Sequence, residues 1–243
     1  MWSDVLVVVV ALVAGGIAAV TGFGIGSLLT PLLALQVETR VAVAAVAVPH
    51  VIGTALRFGL LRAGVDRRVL WSFGLASAAG GLIGALLHNW ASNRGLTIVF
   101  GALLLFAAAS QVSGLARRMR FRGPVAWIAG SVSGLLGGLV GNQGGIRSAA
   151  LLGFDLSKET FVATATAVAL FVDGARMPIY FATQYNEIAA LWRWVTLATA
   201  GVAAGSVLGS RVLVRIPESW FRRVLAATLA ALGCAMFVRG MRP

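Results

Sequence analysis

Arg57, Arg147, Arg176, Asp173 and His50 lie inside long apolar stretches of this chain. Ionisable side chains in such surroundings are expensive, so they face a partner or a ligand path. A guanidinium can grip an oxyanion through its planar fork. The sequence offers Arg147 two partners: such an anion, or a permanent salt bridge with Asp173. Asp173 and Arg176 stand three apart and can pair on one helix face. Asp173 can also carry a proton for coupling. His50 follows Pro49 and has a ring that titrates near neutral pH; its alternative is a helix–helix hydrogen bond. Arg57 and Arg176 lie one or two turns from the ends of their spans, where snorkelling to the interface competes with a site role.

Two glycine-rich interruptions lie among these residues. One runs from Gly134 to Ser148 and includes Asn142, Gln143, Gly144, Gly145 and Arg147; the other is Thr21-Gly-Phe-Gly-Ile-Gly-Ser27, with Gly24, Gly26 and Ser27. Glycine breaks a helix through backbone entropy. In lipid a broken helix survives only where protein or a water-filled cavity satisfies the freed backbone groups. Close packing of small residues accounts for Gly134 and Gly138, but not for Asn142, Gln143 and Arg147 beside them. The short arms after each break present helix N-termini, whose free N–H groups and partial positive charge suit an anion. Asn142 and Gln143 add amide donors or cap the arm. Ser27 and Thr30 either donate to an oxyanion or return to backbone carbonyls.

The elements that must position these residues follow from composition. Of 243 residues, 59% are hydrophobic and 12% charged, and Val5 to Leu35 and Val69 to Leu87 carry no charge. Such runs match the bilayer thickness and do not alternate as barrel strands do. The reading is an all-α polytopic membrane protein. The net charge of +12 comes mostly from arginines between apolar runs, which is the orientation signal of membrane proteins rather than a nucleic-acid surface. One cysteine, Cys234, excludes a disulfide within the chain.

Residues 4–36 as one helix would be roughly 50 Å long, against a hydrocarbon core of about 30 Å. A span over 4–20, a break and an arm over 28–35 fit better. Spans are expected at 40–61, 69–88 and 95–115, then a basic loop at 117–122. The second half repeats the order: 125–140, a break over 141–147, an arm at 148–154, and spans at 158–182, 188–210 and 221–238. Sliding the first half by 119 positions puts Gly22 on Gly141, Gly26 on Gly145 and Arg57 on Arg176; a slide of 125 puts Gly80 and Gly84 on Gly205 and Gly209. The expected organisation is two inverted repeats, 1–116 and 123–243, joined by a cytoplasmic linker at 117–122. Each has a glycine-broken, re-entrant or hairpin pair plus three transmembrane helices. The basic loops at 62–68, 117–122 and 211–223 are placed in the cytoplasm, and the loop at 183–187 and both termini outside. Inverted repeats with interrupted helices mark secondary transporters.

The segments Gly22-Phe-Gly-Ile-Gly-Ser-Leu-Leu-Thr-Pro-Leu-Leu33 and Gly141-Asn-Gln-Gly-Gly-Ile-Arg-Ser-Ala-Ala-Leu-Leu152 resemble the paired breaks of the sulfite exporter TauE/SafE family of membrane permeases. Size, hydropathy and two-half layout agree over essentially the whole chain. The first copy keeps the family's Pro-x-Leu as Pro31-Leu-Leu33; the second has Ala150 where the proline would fall. The resemblance implies movement, in the export direction, of a small sulfur oxyanion or organosulfonate across the inner membrane.

An anion channel would use the same residues without alternating access. An intramembrane enzyme is a weaker alternative: the chain has no His-Glu-x-x-His motif and no glycine-rich nucleotide loop with lysine. Neither metal nor cofactor is expected. The expected partners are a small anion and the bilayer, and a homo-oligomer stays open.

Overall fold

A computed structural model describes residues 2–113, 124–142, 144–213 and 217–242. The linker at 117–122 and Gln143 lie outside these residues, as does part of the basic loop at 211–223. The described chain is helical, with no strand among the described residues. In order, the helices are α1 (Trp2–Thr21), α2 (Ile25–Ala34), α3 (Thr39–Leu61), α4 (Arg67–Trp90), α5 (Asn93–Ser113), α6 (Pro124–Val140), α7 (Gly144–Leu151), α8 (Lys158–Ala190), α9 (Trp192–Leu213) and α10 (Glu218–Met241). Six of the helical stretches are long and apolar enough to cross a membrane. The protein is an all-α, multi-pass membrane protein.

Local signals set several boundaries. Asp66 accepts a hydrogen bond from Val69 N at 2.9 Å and starts α4, and Ser157 does the same for α8 through Thr160 N at 3.2 Å. Both are side-chain N-caps. The arms begin earlier than expected, at Ile25 and Gly144 rather than 28 and 148, because glycine is tolerated in a first turn that tertiary contacts hold. The break expected at 183–187 is present as a kink rather than an open loop: Gln184 leaves helical geometry (φ −139°, ψ 26°), so that α8 is two helical stretches meeting there.

The core is built from pairs that join the halves. α1 packs along α9, α4 along α6, α5 along α10, and α3 against α8. Two of these crossings rest on glycine approaching backbone. A Cβ on Gly134 would collide with the Ser77 carbonyl, and one on Gly15 with the Val202 carbonyl. These contacts are equivalent under the slides of 119 and 125. Side chains cannot fit there, so the helices meet through van der Waals contact of their backbones, the usual driving force for association in lipid. Trp71, Trp90, Trp192 and Trp220 stand at helix ends with more than half their surface exposed, as expected of residues at the two membrane–water interfaces.

Candidate functional site

The site is built where α1 and α6 stop. Gly22 and Gly141 follow these helices with φ of +79° and +72°, a region that costs any L-residue with a Cβ. Each stop leaves last-turn carbonyls without helical partners. At the end of α6, Arg176 Nη1 donates to Gly137 O at 2.8 Å, Tyr180 Oη donates to Gly138 O, and His88 Nδ1 donates to Leu139 O at 2.7 Å. Three consecutive carbonyls are thus capped by side chains from α8 and α4. At the end of α1, Thr21 Oγ1 contacts Ile17 O and Phe23 O, and Arg147 Nη2 donates to Gly22 O at 2.8 Å.

The two breaks interlock. Ser27 Oγ donates to Asn142 Oδ1 at 3.1 Å. Gly26 presses on the Gly141 carbonyl, and Gly144 on Phe23. Of the sequence-expected residues, Gly26 and Ser27 thus meet the second break at Gly141 and Asn142, and Gly144 and Arg147 meet the first at Phe23 and Gly22; Gly24 packs on Ile17 of its own half, and Gly145 faces Ala107. Gly24, the N-cap of α2, has no side chain to cap the helix, and no side-chain cap stands there among the described residues.

The charges sort into two sets. Asp173 is fully buried and held on both oxygens: His50 Nδ1 donates to Oδ2 at 2.8 Å, and Arg176 reaches Oδ1 through Nε at 3.0 Å and Nη2 at 2.7 Å. With Nη1 on Gly137 O, every nitrogen of Arg176 is engaged. Arg57 and Arg147 differ. Arg57 Nη2 donates to Thr54 Oγ1 at 3.3 Å, but its Nε and Nη1 have no partner among the described residues, and the same two nitrogens of Arg147 have none there. Both are buried, 3% and 2% exposed, so neither snorkels, and Arg176 at 1% does not either. The salt bridge offered for Arg147 with Asp173 is absent; Asp173 is already occupied.

Arg57, Arg147 and Arg176 against Asp173 leave a fixed excess of positive charge among buried side chains. Buried charge without a partner is strongly unfavourable, and unpartnered guanidinium N–H groups call for a hydrogen-bond acceptor. Thr30 Oγ1, also buried and unpartnered, lies beside Gly141 together with Arg176. The arrangement is rich in donors and has its one carboxylate occupied, so it suits an anion and not a cation.

Thr54, Tyr180 and His88 were not singled out in the sequence. Thr54 had a signal: the slide of 119 sets it on Asp173. Tyr180 and His88 carried none, since their roles depend on where the end of α6 falls in space.

Comparison with curated proteins and with solved structures gives no match. The family profile described as Sulfite exporter TauE/SafE matches residues 7–236, nearly the whole chain, and the chain belongs to this family of membrane transporters for sulfur anions.

Proposed function

We propose that this protein is a secondary transporter that binds a small sulfur oxyanion or organosulfonate between Arg57 and Arg147, at the facing breaks of its two halves. The observation that carries the reading is the pair of unpartnered, buried guanidiniums beside an uncapped helix N-terminus. A trigonal or tetrahedral oxyanion accepts from both forks and from Thr30 Oγ1, and offsets the charge excess. Gln143, between Asn142 and the second arm, supplies a further amide donor in this reading.

The reading extends to the scaffold. The packing of α1 with α9 and of α4 with α6 exchanges equivalent helices of the halves, which supports an inverted repeat about an axis in the membrane plane. Alternating access then follows from rocking one half against the other around a fixed site. The direction is export across the inner membrane, with 117–122 cytoplasmic and both termini outside.

The test is sulfite flux into proteoliposomes. Wild-type flux is expected to saturate with concentration, and Arg147→Gln to insert normally and lose it. Flux that never saturates would make the protein a channel. Normal saturable flux in well-folded Arg147→Gln would remove Arg147 from the site.

A further inference from the structure

We infer that His50, held by Asp173, takes up a proton together with the anion, so that proton and anion move as one cargo. This rests on the anion site proposed above and adds the coupling chemistry to it. His50 Nδ1 faces a carboxylate oxygen at 2.8 Å. A carboxylate only accepts, so Nδ1 carries the hydrogen, and the free position for a second proton is Nε2. Asp173 cannot serve as the entry point. None of its side-chain surface is accessible, whereas His50 keeps 11% of its own. Asp173 also stays bound to Arg176 through two contacts.

Charge makes the coupling two-way. Asp173 from α8 binds His50, Arg176 binds the same carboxylate, Arg57 lies two turns along α3, and Arg147 is the further buried cation. The arm α2, which packs on α3, carries no titratable side chain. Arg193 on α9 is at the far end and pairs with Asp4, and Arg94 on α5 is bound to the Gly240 carbonyl. A proton on His50 therefore joins a cluster that is already positive, with only Asp173 to offset it. An anion between Arg57 and Arg147 supplies the missing negative charge. Each ligand favours the other by the reciprocity that governs any pair of coupled sites. The proton goes onto Nε2, the resulting imidazolium stays paired with Asp173, and it leaves when the anion leaves. Under this scheme an anion accumulated inside leaves with a proton.

Proton uptake on binding tests this without transport. Detergent-purified protein in weak buffer at pH 7 is mixed with sodium sulfate, an anion whose charge does not change near neutrality, and an indicator dye reads the released or absorbed protons while calorimetry reads binding. The expected result is net uptake, up to roughly one proton per bound sulfate, in wild type. His50→Gln is expected to bind sulfate with no uptake. Sulfate binding without uptake in wild type overturns the coupling and leaves the anion site standing. Uptake that persists in folded His50→Gln assigns the proton elsewhere and also overturns it. If wild type binds neither sulfate nor sulfite, the anion site falls and the coupling with it.

Discussion

Arg57 and Arg176 occupy equivalent positions 119 residues apart, and each reaches the side chain three residues before it. Arg176 finds the carboxylate of Asp173 at 2.7 Å, while Arg57 finds the hydroxyl of Thr54 at 3.3 Å. One cation is neutralised by its own helix and the other is not. That single difference, Thr for Asp, leaves Arg57 beside a hydroxyl where Arg176 has a carboxylate.

Arg147→Gln and Arg57→Gln are expected to fold and to bind sulfite roughly ten- to a hundredfold more weakly, the loss of charge-assisted hydrogen bonds worth about 1.5–3 kcal/mol. Calorimetric titration of each variant against wild type measures it.

Asp173→Asn has the opposite character. It removes the partner of Arg176 and His50 and leaves a buried cation uncompensated, so a loss of about 3–5 kcal/mol of stability is expected. Thermal unfolding in detergent, with and without added sulfate, reads the change.

Gly134→Ala drives a Cβ into the Ser77 carbonyl, where both helices would have to move apart. A cost of about 1–3 kcal/mol or more is expected from overpacking. Gly59→Ala is the control: nothing lies within 4 Å of the added atom, and helix propensity favours alanine by about 1 kcal/mol. Thermal unfolding of the two variants beside wild type separates these outcomes.

Orientation is tested by labelling. In a Cys234→Ser background, Ser3→Cys is expected to react with an impermeant maleimide added outside intact cells. Labelling only after permeabilisation would place the N-terminus inside.

Much of the fold was legible because lipid restricts what a chain can do. Uninterrupted apolar runs gave the spans, and glycine clusters inside them gave the breaks at Gly22 and Gly141. Arg57, Arg147, Arg176 and Asp173 stood out because charge is rare in such runs, and the structure buries all four. Their partners were not. Whether Arg147 faces Asp173 or an anion depends on helix rotation, which hydropathy does not encode, and the structure gives Arg147 the Gly22 carbonyl instead. The break in α8 was legible from the polar run Tyr185-Asn186-Glu187, and the structure gives it the form of a kink at Gln184 rather than an open loop.

The central claim is that Arg57 needs an anion because its own half lacks the carboxylate that Arg176 has. The most direct measurement is sulfite affinity, by calorimetry, of Thr54→Asp beside wild type. The added carboxylate would sit three residues before Arg57, as Asp173 does before Arg176, and would take the ligand's place. The expected result is a protein at least as stable as wild type in thermal unfolding, with sulfite binding weakened tenfold or more, on the order of 1.4 kcal/mol. A folded Thr54→Asp protein that binds sulfite with wild-type affinity would contradict the account.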